Sequence, residues 1–231
     1  MDPSGMEARE WNDVVRSLED ISGFYETANL LMTFLQAPHW RAQAAALARG
    51  RVVEIGSGPG SFARLLPQDA VLIEPSPRLL MKSRELAPEN PRARGRAEDI
   101  PLRDETADTC FCVFSFRDFL DKAKALAEMR RILTPGGRVV IVDVAKPPPG
   151  LRRTLMNLYI GTLIPHLIPF LAPRRERASW SGEPYREFAR TYRAFGMPEQ
   201  YAQALREHGF DEVRWSLLRT GGAFLLTGVR K

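Results

Sequence analysis

The chain has 231 residues, of which 44% are hydrophobic and 26% are charged, as in an ordinary soluble globular protein. This length favours one α/β domain with an insertion over two domains, and no apolar run reaches the roughly 18 residues of a membrane-spanning helix. The formal net charge of +5 comes from arginine-rich segments without interleaved aromatic residues, so we expect a solvated basic surface and no nucleic-acid partner. Cys110 and Cys112 lie in an apolar run, which indicates reduced thiols rather than a disulfide framework or a metal site. Together with the polar N-terminus, this predicts a cytoplasmic protein.

Residues 1–48 are predicted to form a helical arm. Apolar residues recur at helical spacing over residues 1–22, and the pattern continues over residues 24–34. An alanine-rich helix is predicted over residues 41–48. We expect these helices to cover one edge of a sheet or the mouth of a ligand site. The first strand, residues 51–55, follows directly.

A glycine-rich turn follows this strand. Gly56, Gly58 and Gly60 alternate behind Glu54, and Ser61 is placed to cap a helix. The turn is not a P-loop, because no Gly-Lys-Ser/Thr ending follows, and it departs from the G-x-G-x-x-G spacing of dinucleotide sites. A carboxylate at Glu54 disfavours a pyrophosphate and favours a cationic ligand. The alternative is a plain turn between a strand and a helix.

The second strand, residues 70–74, ends in Glu74. Pro75, Ser76 and Pro77 then form a turn and a helix cap, and the helix is predicted to run to about residue 84. A carboxylate at the end of the second strand of an open α/β sheet accepts hydrogen bonds from ribose hydroxyls, and we assign this role to Glu74. The alternative is an exposed carboxylate at a helix N-terminus.

Strands and helices continue to alternate towards the C-terminus. Further strands are predicted at residues 91–96, 107–116, 138–144, 213–218 and 223–229. Further helices are predicted at residues 121–133 and 199–208. Prolines within residues 151–172 exclude one long straight helix there. The last two strands are predicted to form a hairpin through Thr220, Gly221 and Gly222.

The alternation predicts a doubly wound, Rossmann-like α/β fold. We expect a seven-stranded, mostly parallel sheet with a C-terminal antiparallel hairpin strand and a helical lid insertion. The single domain, residues 1–231, divides into a helical arm, a cofactor-binding half, a helical lid or substrate insertion, and a C-terminal helix and hairpin, at residues 1–48, 49–145, 146–198 and 199–231. The ligand site is expected at the carboxyl ends of the first, second and fourth strands.

Several motifs resemble those of known methyltransferases. The E-x-G-x-G-x-G run that begins at Glu54 resembles motif I of the class I S-adenosylmethionine (SAM) methyltransferases. Residues 114–126, 131–137 and 143–147 are similar to the F-G-x-R-N-x-x-D-x-x-K-A-L, R-V-L-K-P-G-G and E-F-S-K-P motifs of the ubiquinone/menaquinone biosynthesis C-methyltransferase family. The resemblance runs from about residue 24 to the C-terminus.

This resemblance implies an enzyme that uses SAM to C-methylate a prenylated quinol, by SN2 transfer to an activated ring carbon. The residues then expected to bind SAM are Glu54, Gly56, Ser57, Gly58, Gly60, Glu74, Pro75, Ser76, Ala97, Glu98, Phe114 and Ser115. One alternative is a SAM-dependent methyltransferase of another small molecule: an aromatic compound, a lipid, or an oxygen or nitrogen nucleophile. The other is a SAM-binding regulatory protein without turnover.

Arg117, Asp118 and Tyr25 are the candidate catalytic residues. Arg117 is expected to stabilise a phenolate or to hold a water that acts as a base, and the alternative is a surface ion pair with Asp118 or Asp121. Tyr25 is expected either to hydrogen-bond to the cofactor from the lid or to pack in the core. His166 is expected to pack.

The chain departs from the family pattern at several places. Arg96 stands where the family has an aspartate that meets the adenine amino group, so Glu98, Asp99 or backbone packing must replace it. Asp118 stands in place of an asparagine, and residues 180–188 replace a Y-x-Y-L-x-E-S-I segment.

The apolar stretch at residues 151–172 has two interpretations. It covers an isoprenoid tail and rests on the inner face of a membrane, helped by flanking arginines, or it is a packed insertion or a homodimer face. The first would make the protein peripheral to the membrane.

Overall fold

The computed structural model describes residues 25–146, 150–174 and 195–231, together with Glu19 and Arg177. Apart from Glu19, the helix predicted over residues 1–22 lies outside the described residues, and so does the segment at residues 180–188. Within the described part, helices pack on both faces of one central sheet.

The sheet has seven strands. They are β1 (Val52–Ile55), β2 (Val71–Glu74), β3 (Arg92–Arg94), β4 (Ala107–Val113), β5 (Leu133–Val144), β6 (Phe210–Leu217) and β7 (Ala223–Arg230). Their order across the sheet is β3-β2-β1-β4-β5-β7-β6. Strands β1 to β5 are parallel, whereas β7 is antiparallel to both β5 and β6. This confirms the predicted mostly parallel sheet with an antiparallel C-terminal hairpin.

Several strand boundaries differ from the predictions: β3 ends at Arg94 rather than at residue 96, and β6 begins at Phe210 rather than at residue 213. Strand β4 ends at Val113 rather than at residue 116, because Phe114 has a positive φ of 62° and the chain turns into the short 3-10 helix Phe116–Asp118. Strand β5 begins at Leu133 rather than at residue 138, since Leu133 pairs with Ala107 before the register shifts. The Thr-Pro-Gly-Gly turn therefore lies within an irregular strand.

Strands β3 and β6 form the two edges of the sheet. Strand β3 has three residues, and the guanidinium of Arg92 donates to the carbonyl oxygen of Asn90 at 2.8 Å. In β6 the pairing register shifts between Asp211 and Arg214, where Glu212 has a φ of 48°. Neither edge therefore offers a long regular strand.

The helices, in chain order, are α1 (Tyr25–Met32), α2 (Ala37–Ala45), α3 (Pro77–Lys82), α4 (Lys122–Ile132), α5 (Leu151–Leu158), α6 (Ile164–Leu171) and α7 (Pro198–Glu207). Ser76 and Asp121 cap α3 and α4, where their side chains accept backbone N–H groups at 3.1 and 2.9 Å. The helix cap predicted at Ser61 is wrong. Only one 3-10 turn, Ala63–Leu65, follows, and the Ser61 hydroxyl donates to Glu26 instead.

Two hydrophobic clusters among the described residues lie on opposite sides of the sheet. Strand β4 shows the division, because successive side chains of a strand point to opposite faces. Cys110 and Cys112 pack in the cluster that contains α4 and α7, whereas Phe111 and Val113 pack in the cluster that contains Trp40 of α2. Burial on both sides fixes the carboxyl end of β4, at which the ligand site is expected.

Helices α5 and α6 form the described part of the predicted lid. The π-helical turn Tyr159–Leu163 joins them, so the segment is helical throughout but is not one regular α-helix. The hydroxyl of Tyr159 donates to the carbonyl oxygen of Leu31 at 2.7 Å, and its ring stacks on Phe34 with centroids 4.4 Å apart. These contacts hold the segment against the end of α1.

Candidate functional site

A cavity opens at the carboxyl ends of β1, β2 and β4, where the order of the parallel strands reverses. Most of the residues predicted to bind the cofactor line it, namely Glu54, Gly56, Ser57, Gly58, Glu74, Pro75, Ala97, Glu98, Phe114 and Ser115. Gly60 and Ser76 do not. A Cβ at Gly60 would lie 3.1 Å from the Cβ of Ser83, so Gly60 packs under the turn, and Ser76 caps α3.

Gly56 and Gly58 shape the turn after β1. Gly56 has a φ of 71°, and a Cβ there would lie 2.6 Å from the Cβ of Ser115, so the turn packs closely against the end of β4. Gly58 has a φ of 53°, and among the described residues nothing lies within 4 Å of where its Cβ would stand. Its N–H donates to Oε2 of Glu74 at 2.9 Å. The turn therefore leaves open space for a ligand at Gly58.

Glu54 is 1% exposed at the end of β1. Its Oε2 atom has no hydrogen-bond partner among the residues that the structure describes. Burial raises the pKa of this carboxyl to about 8; the nearby Arg41 guanidinium acts in the opposite direction, and Glu74 adds a smaller increase. A cation in the cavity would favour the ionised form of Glu54.

Glu74 lies beside Glu54 in the cavity lining and is also buried, so it is not the exposed carboxylate of the alternative interpretation. Its two oxygens accept the backbone N–H groups of Ser76 and Gly58, each at 2.9 Å. Burial nevertheless raises its pKa to about 7, because desolvation outweighs these two hydrogen bonds. Glu74 thus joins the start of α3 to the glycine turn, and its contact with a ribose remains a prediction.

The loop after β3 contributes Arg96, Ala97 and Glu98 to the cavity. Arg96 is exposed at the rim. Glu98 is buried, and one of its oxygens accepts the N–H groups of Leu120 and Asp121 at 2.8 and 3.2 Å. Of the two acids proposed to replace the family's aspartate, Glu98 lines the cavity.

Arg117 and Asp118 follow the end of β4, but only Asp118 lines the cavity. The Arg117 side chain is buried behind the cavity wall, where Nη1 donates to Oδ1 of Asp143 at 2.9 Å and to the carbonyl oxygen of Phe114 at 3.0 Å. Its Nη2 lies 3.4 Å from Oδ2 of Asp118. The ion pair expected as the alternative is therefore present, but it is buried and its main partner is Asp143.

The structure does not bring the other two candidates, Tyr25 and His166, into the described site. Tyr25 begins α1, and its side chain is outside the described part. His166 lies exposed on α6 rather than packed. The structure thus places Asp118 on the cavity and His166 away from it.

The sequence did not single out several cavity residues, above all Arg41 of α2. Arg41 is 3% exposed, donates to both carboxylate oxygens of Glu26 at 2.8 and 3.3 Å, and lies over the ring of Phe114, 5.8 Å from its centroid. The other unpredicted members are Pro59, Ser61, Phe62, Leu79, Val113 and Phe119. The signal that could have found Arg41 is the run His39-Trp40-Arg41, which is similar to an x-W-R motif that precedes motif I in the ubiquinone/menaquinone biosynthesis C-methyltransferase family.

The residues of the cavity fit SAM. This cofactor carries a sulfonium, an α-amino group and ribose hydroxyls, and the cavity offers two buried carboxyl groups and open space at the glycine turn. Glu54 and the turn would hold the methionine end, Glu74 the ribose, and Ala97 with Glu98 the adenine. Oε2 of Glu54 and Oγ of Ser57 are buried and have no hydrogen-bond partner within the described part of the chain, and a polar ligand would satisfy them.

Comparisons with known proteins agree with this fit. A family model described as a methyltransferase domain matches residues 53–141. The chain is 29% identical to a demethylmenaquinone methyltransferase of Deinococcus radiodurans, with 99% of this chain and 97% of the relative covered. It is 28% identical to a ubiquinone/menaquinone biosynthesis C-methyltransferase of Rubrivivax gelatinosus, with 93% and 86% covered.

Among solved structures, the fold is similar to that of a SAM-dependent methyltransferase of Thermotoga maritima described as a possible histamine N-methyltransferase. The TM-score is 0.67 at 24% identity, and the match covers 94% of this chain and all of the other. Fold, site and relatives together define this chain as an enzyme, a SAM-dependent methyltransferase of the class I α/β type. It resembles the ubiquinone/menaquinone biosynthesis C-methyltransferases over nearly its whole length, as its motifs indicated.

Proposed function

We propose that this methyltransferase transfers the methyl group of SAM to a ring carbon of a prenylated quinol of the ubiquinone/menaquinone type. The observation that carries the proposal is the extent of the similarity. The methyltransferase-domain match ends at residue 141, but the demethylmenaquinone methyltransferases match almost the whole chain, including the lid and the C-terminal hairpin. The described residues of those additional segments do not line the cofactor cavity, and this supports a role for them in recognising the acceptor.

Bound SAM supplies a methyl group on a positively charged sulfur, which leaves as a neutral thioether and needs little covalent help. The acceptor carbon, by contrast, must become electron-rich through loss of a phenolic proton. A carboxylate at the cavity wall is suited to accept that proton. After the new carbon–carbon bond forms, the hydrogen on that ring carbon leaves as a proton and the ring becomes aromatic again.

Asp118 is our candidate for the proton acceptor, because it lies on the cavity wall just beyond β4. Arg117 holds Asp118 from behind and is itself fixed by Asp143, so it acts in this proposal by positioning and charge rather than by direct contact. Tyr25 remains a candidate at the start of α1.

The direct test is methyl transfer in vitro. The protein is incubated with SAM and a short-tailed demethylmenaquinol, and mass spectrometry follows the gain of one methylene unit. A catechol, a fatty acid and an aromatic amine serve as competing acceptors. Methylation of the quinol alone supports the proposal. Methylation of a competitor but not of the quinol would assign the enzyme to another small molecule, and SAM binding without transfer to any acceptor would favour a regulatory protein.

We further propose that helices α5 and α6 contact a membrane surface. Leu151, Leu155 and Leu158 recur at helical spacing and are 76%, 56% and 58% exposed, and Phe170 of α6 is 74% exposed. Arg174, just after α6, is also exposed and could meet anionic lipid head groups. The contact that we propose is with the membrane interface, where an amphipathic helix buries its apolar face. No helix among the described residues is long and apolar enough to cross a membrane.

A further inference from the structure

Residues 195–197 lie just before α7, at the end of the insertion that follows β5, and side chains from the start of this insertion hold them. Nζ of Lys146, two residues after β5, donates to the carbonyl oxygen of Phe195 at 2.6 Å. Nη2 of Arg153 on α5 lies 3.9 Å from Sδ of Met197. A charged donor makes a stronger hydrogen bond than a neutral one. These contacts join the two ends of the insertion to each other.

The same stretch packs tightly against α7. The N–H of Gly196 donates to the hydroxyl of Tyr201 at 2.6 Å, and a Cβ at Gly196 would lie 2.9 Å from that hydroxyl. The ring of Phe195 stacks on the ring of Tyr201, with centroids 4.7 Å apart. Both residues are buried, at 5% and 4% exposure. Phe195 is therefore fixed by Lys146 through its backbone and by Tyr201 through its ring.

The rings of Phe195 and Tyr201 also contact the turn that follows β4. Phe116 is fully buried, and its ring meets these two rings at steep angles, with centroids 6.4 and 5.2 Å apart. Phe116 begins the 3-10 turn whose next two residues are Arg117 and Asp118. Because buried side chains are close-packed, a shift of Phe195 has to move Phe116 or leave a void. The end of the insertion is thus joined to the turn that carries Asp118.

We propose that Lys146 is a positioning residue for methyl transfer, because its hydrogen bond to Phe195 fixes the aromatic rings that set the place of Asp118 on the cavity wall. Lys146 does not line the cavity, so it acts on the reaction through these other residues. The inference rests on Asp118 as the proposed proton acceptor and does not depend on which molecule is methylated. The competing view is that Lys146 contributes to the stability of the fold alone.

The first measurement needs no turnover. The N–H groups of Arg117 and Asp118 are both hydrogen-bonded, so their hydrogen exchange reports on opening of the turn. In protein saturated with S-adenosylhomocysteine, Lys146→Met should raise the exchange rate at residues 116–119 about 10- to 100-fold, as expected for loss of a hydrogen bond from a charged group. Lys146→Arg keeps the charge and the donors and should exchange nearly as the wild type does. Lys124→Met, in an exposed position on α4, is the control. Unchanged exchange in Lys146→Met would overturn the proposal.

The second measurement is the rate of methyl transfer to whichever acceptor the enzyme uses. Lys146→Met should lower kcat about 10- to 100-fold while the Kd of SAM stays within about twofold of the wild-type value, and Lys146→Arg should restore most of the rate. A lower unfolding temperature with an unchanged kcat would show that Lys146 has a structural role only.

A second variant keeps the proposal testable if Lys146→Met does not fold. Tyr201→Phe removes the hydroxyl that accepts the N–H of Gly196 but keeps the ring. It must show the same faster exchange at residues 116–119 and the same slower transfer, and wild-type behaviour in both measurements would contradict the proposal. If the quinol is not methylated, the exchange result still stands, so this inference and the proposed acceptor fail separately.

Discussion

Arg117 donates to both carboxylate oxygens of Asp143, from its backbone N–H at 3.0 Å and from Nη1 at 2.9 Å, and neither side chain reaches the cavity. The pair joins the turn after β4 to the carboxyl end of β5. Because Arg117 also lies beside Asp118, the pair determines where a cavity carboxylate stands. The buried ion pair that stabilises this end of the sheet therefore also positions Asp118, the proposed proton acceptor.

Removing Asp143 should strongly destabilise the protein. Asp143→Ala removes the main partner of the buried Arg117, and losses of about 3–5 kcal/mol are typical when one partner of such a pair is removed. Asp211→Ala is the matched control, since its pair with Lys231 is 57% and 60% exposed and should contribute about 0–1 kcal/mol. Urea unfolding measures both values. Similar small losses in the two variants would contradict the structural role assigned to the buried pair.

Asp118→Asn should slow methyl transfer about 10²- to 10⁴-fold, because the amide cannot accept the phenolic proton. Binding of SAM, measured by titration, should change little. Asp99→Asn, in an exposed position off the cavity, is the control. The substitution introduces the asparagine that the family has at this position. An undiminished rate of methyl transfer in Asp118→Asn would show that another group acts as the base.

Binding of SAM should tighten as the pH rises from about 6 to 8. The pKa values of Glu54 and Glu74 are raised to about 8 and about 7, and the cationic cofactor favours their ionised forms, so binding releases protons in this range. The same shifts make the free protein less stable as the pH rises from the unfolded-state pKa through the folded-state values, because the unfolded chain ionises these carboxyls first. Titration calorimetry in two buffers of different ionisation enthalpy measures the number of protons that are released when SAM binds. A pH profile identical in Glu54→Gln and the wild type would show that Glu54 does not contribute.

Gly58→Ala should fold but bind SAM poorly. The alanine takes the left-handed conformation at a cost of about 1 kcal/mol and places a methyl group in the open space of the cavity. Gly136→Ala is a close control, because Gly136 has a φ of 79° and also has nothing within 4 Å among the described residues, but it lies in β5 away from the cavity. The increase in unfolding temperature that SAM produces is measured for both variants. The stabilisation by SAM should disappear only in Gly58→Ala, and its survival there would place the cofactor elsewhere.

The double variant Leu155→Asp/Leu158→Asp should reduce binding to vesicles that contain anionic lipid, measured by co-sedimentation. Two charges on the exposed face of α5 oppose insertion into the interface. Met81→Asp, 57% exposed on α3, serves as the control. If the wild type does not sediment with vesicles and the leucine variant instead alters the oligomeric state on gel filtration, the face is a dimer interface.

Local sequence patterns predicted much of the site. The glycine turn, Glu54 and Glu74 lie next to strands with clear apolar runs, so their place at the carboxyl ends followed from the strand order. The start of β5 did not follow, because the pairing of Leu133 with Ala107 depends on a register shift between two strands. Arg41 was missed because its importance comes from the way α2 packs over the cavity, and Asp143 because its partner, Arg117, is 26 residues away along the chain.

The two edges of the sheet also bear on how the protein behaves at high concentration. Exposed edge strands can pair with strands of other molecules and start aggregates. Here one edge is a three-residue strand with two arginines, and the other bends at Glu212, between the charged Asp211 and Arg214. Both edge strands therefore disfavour pairing with a strand of a second copy. The sheet that carries the catalytic site is thus protected against edge-to-edge polymerisation.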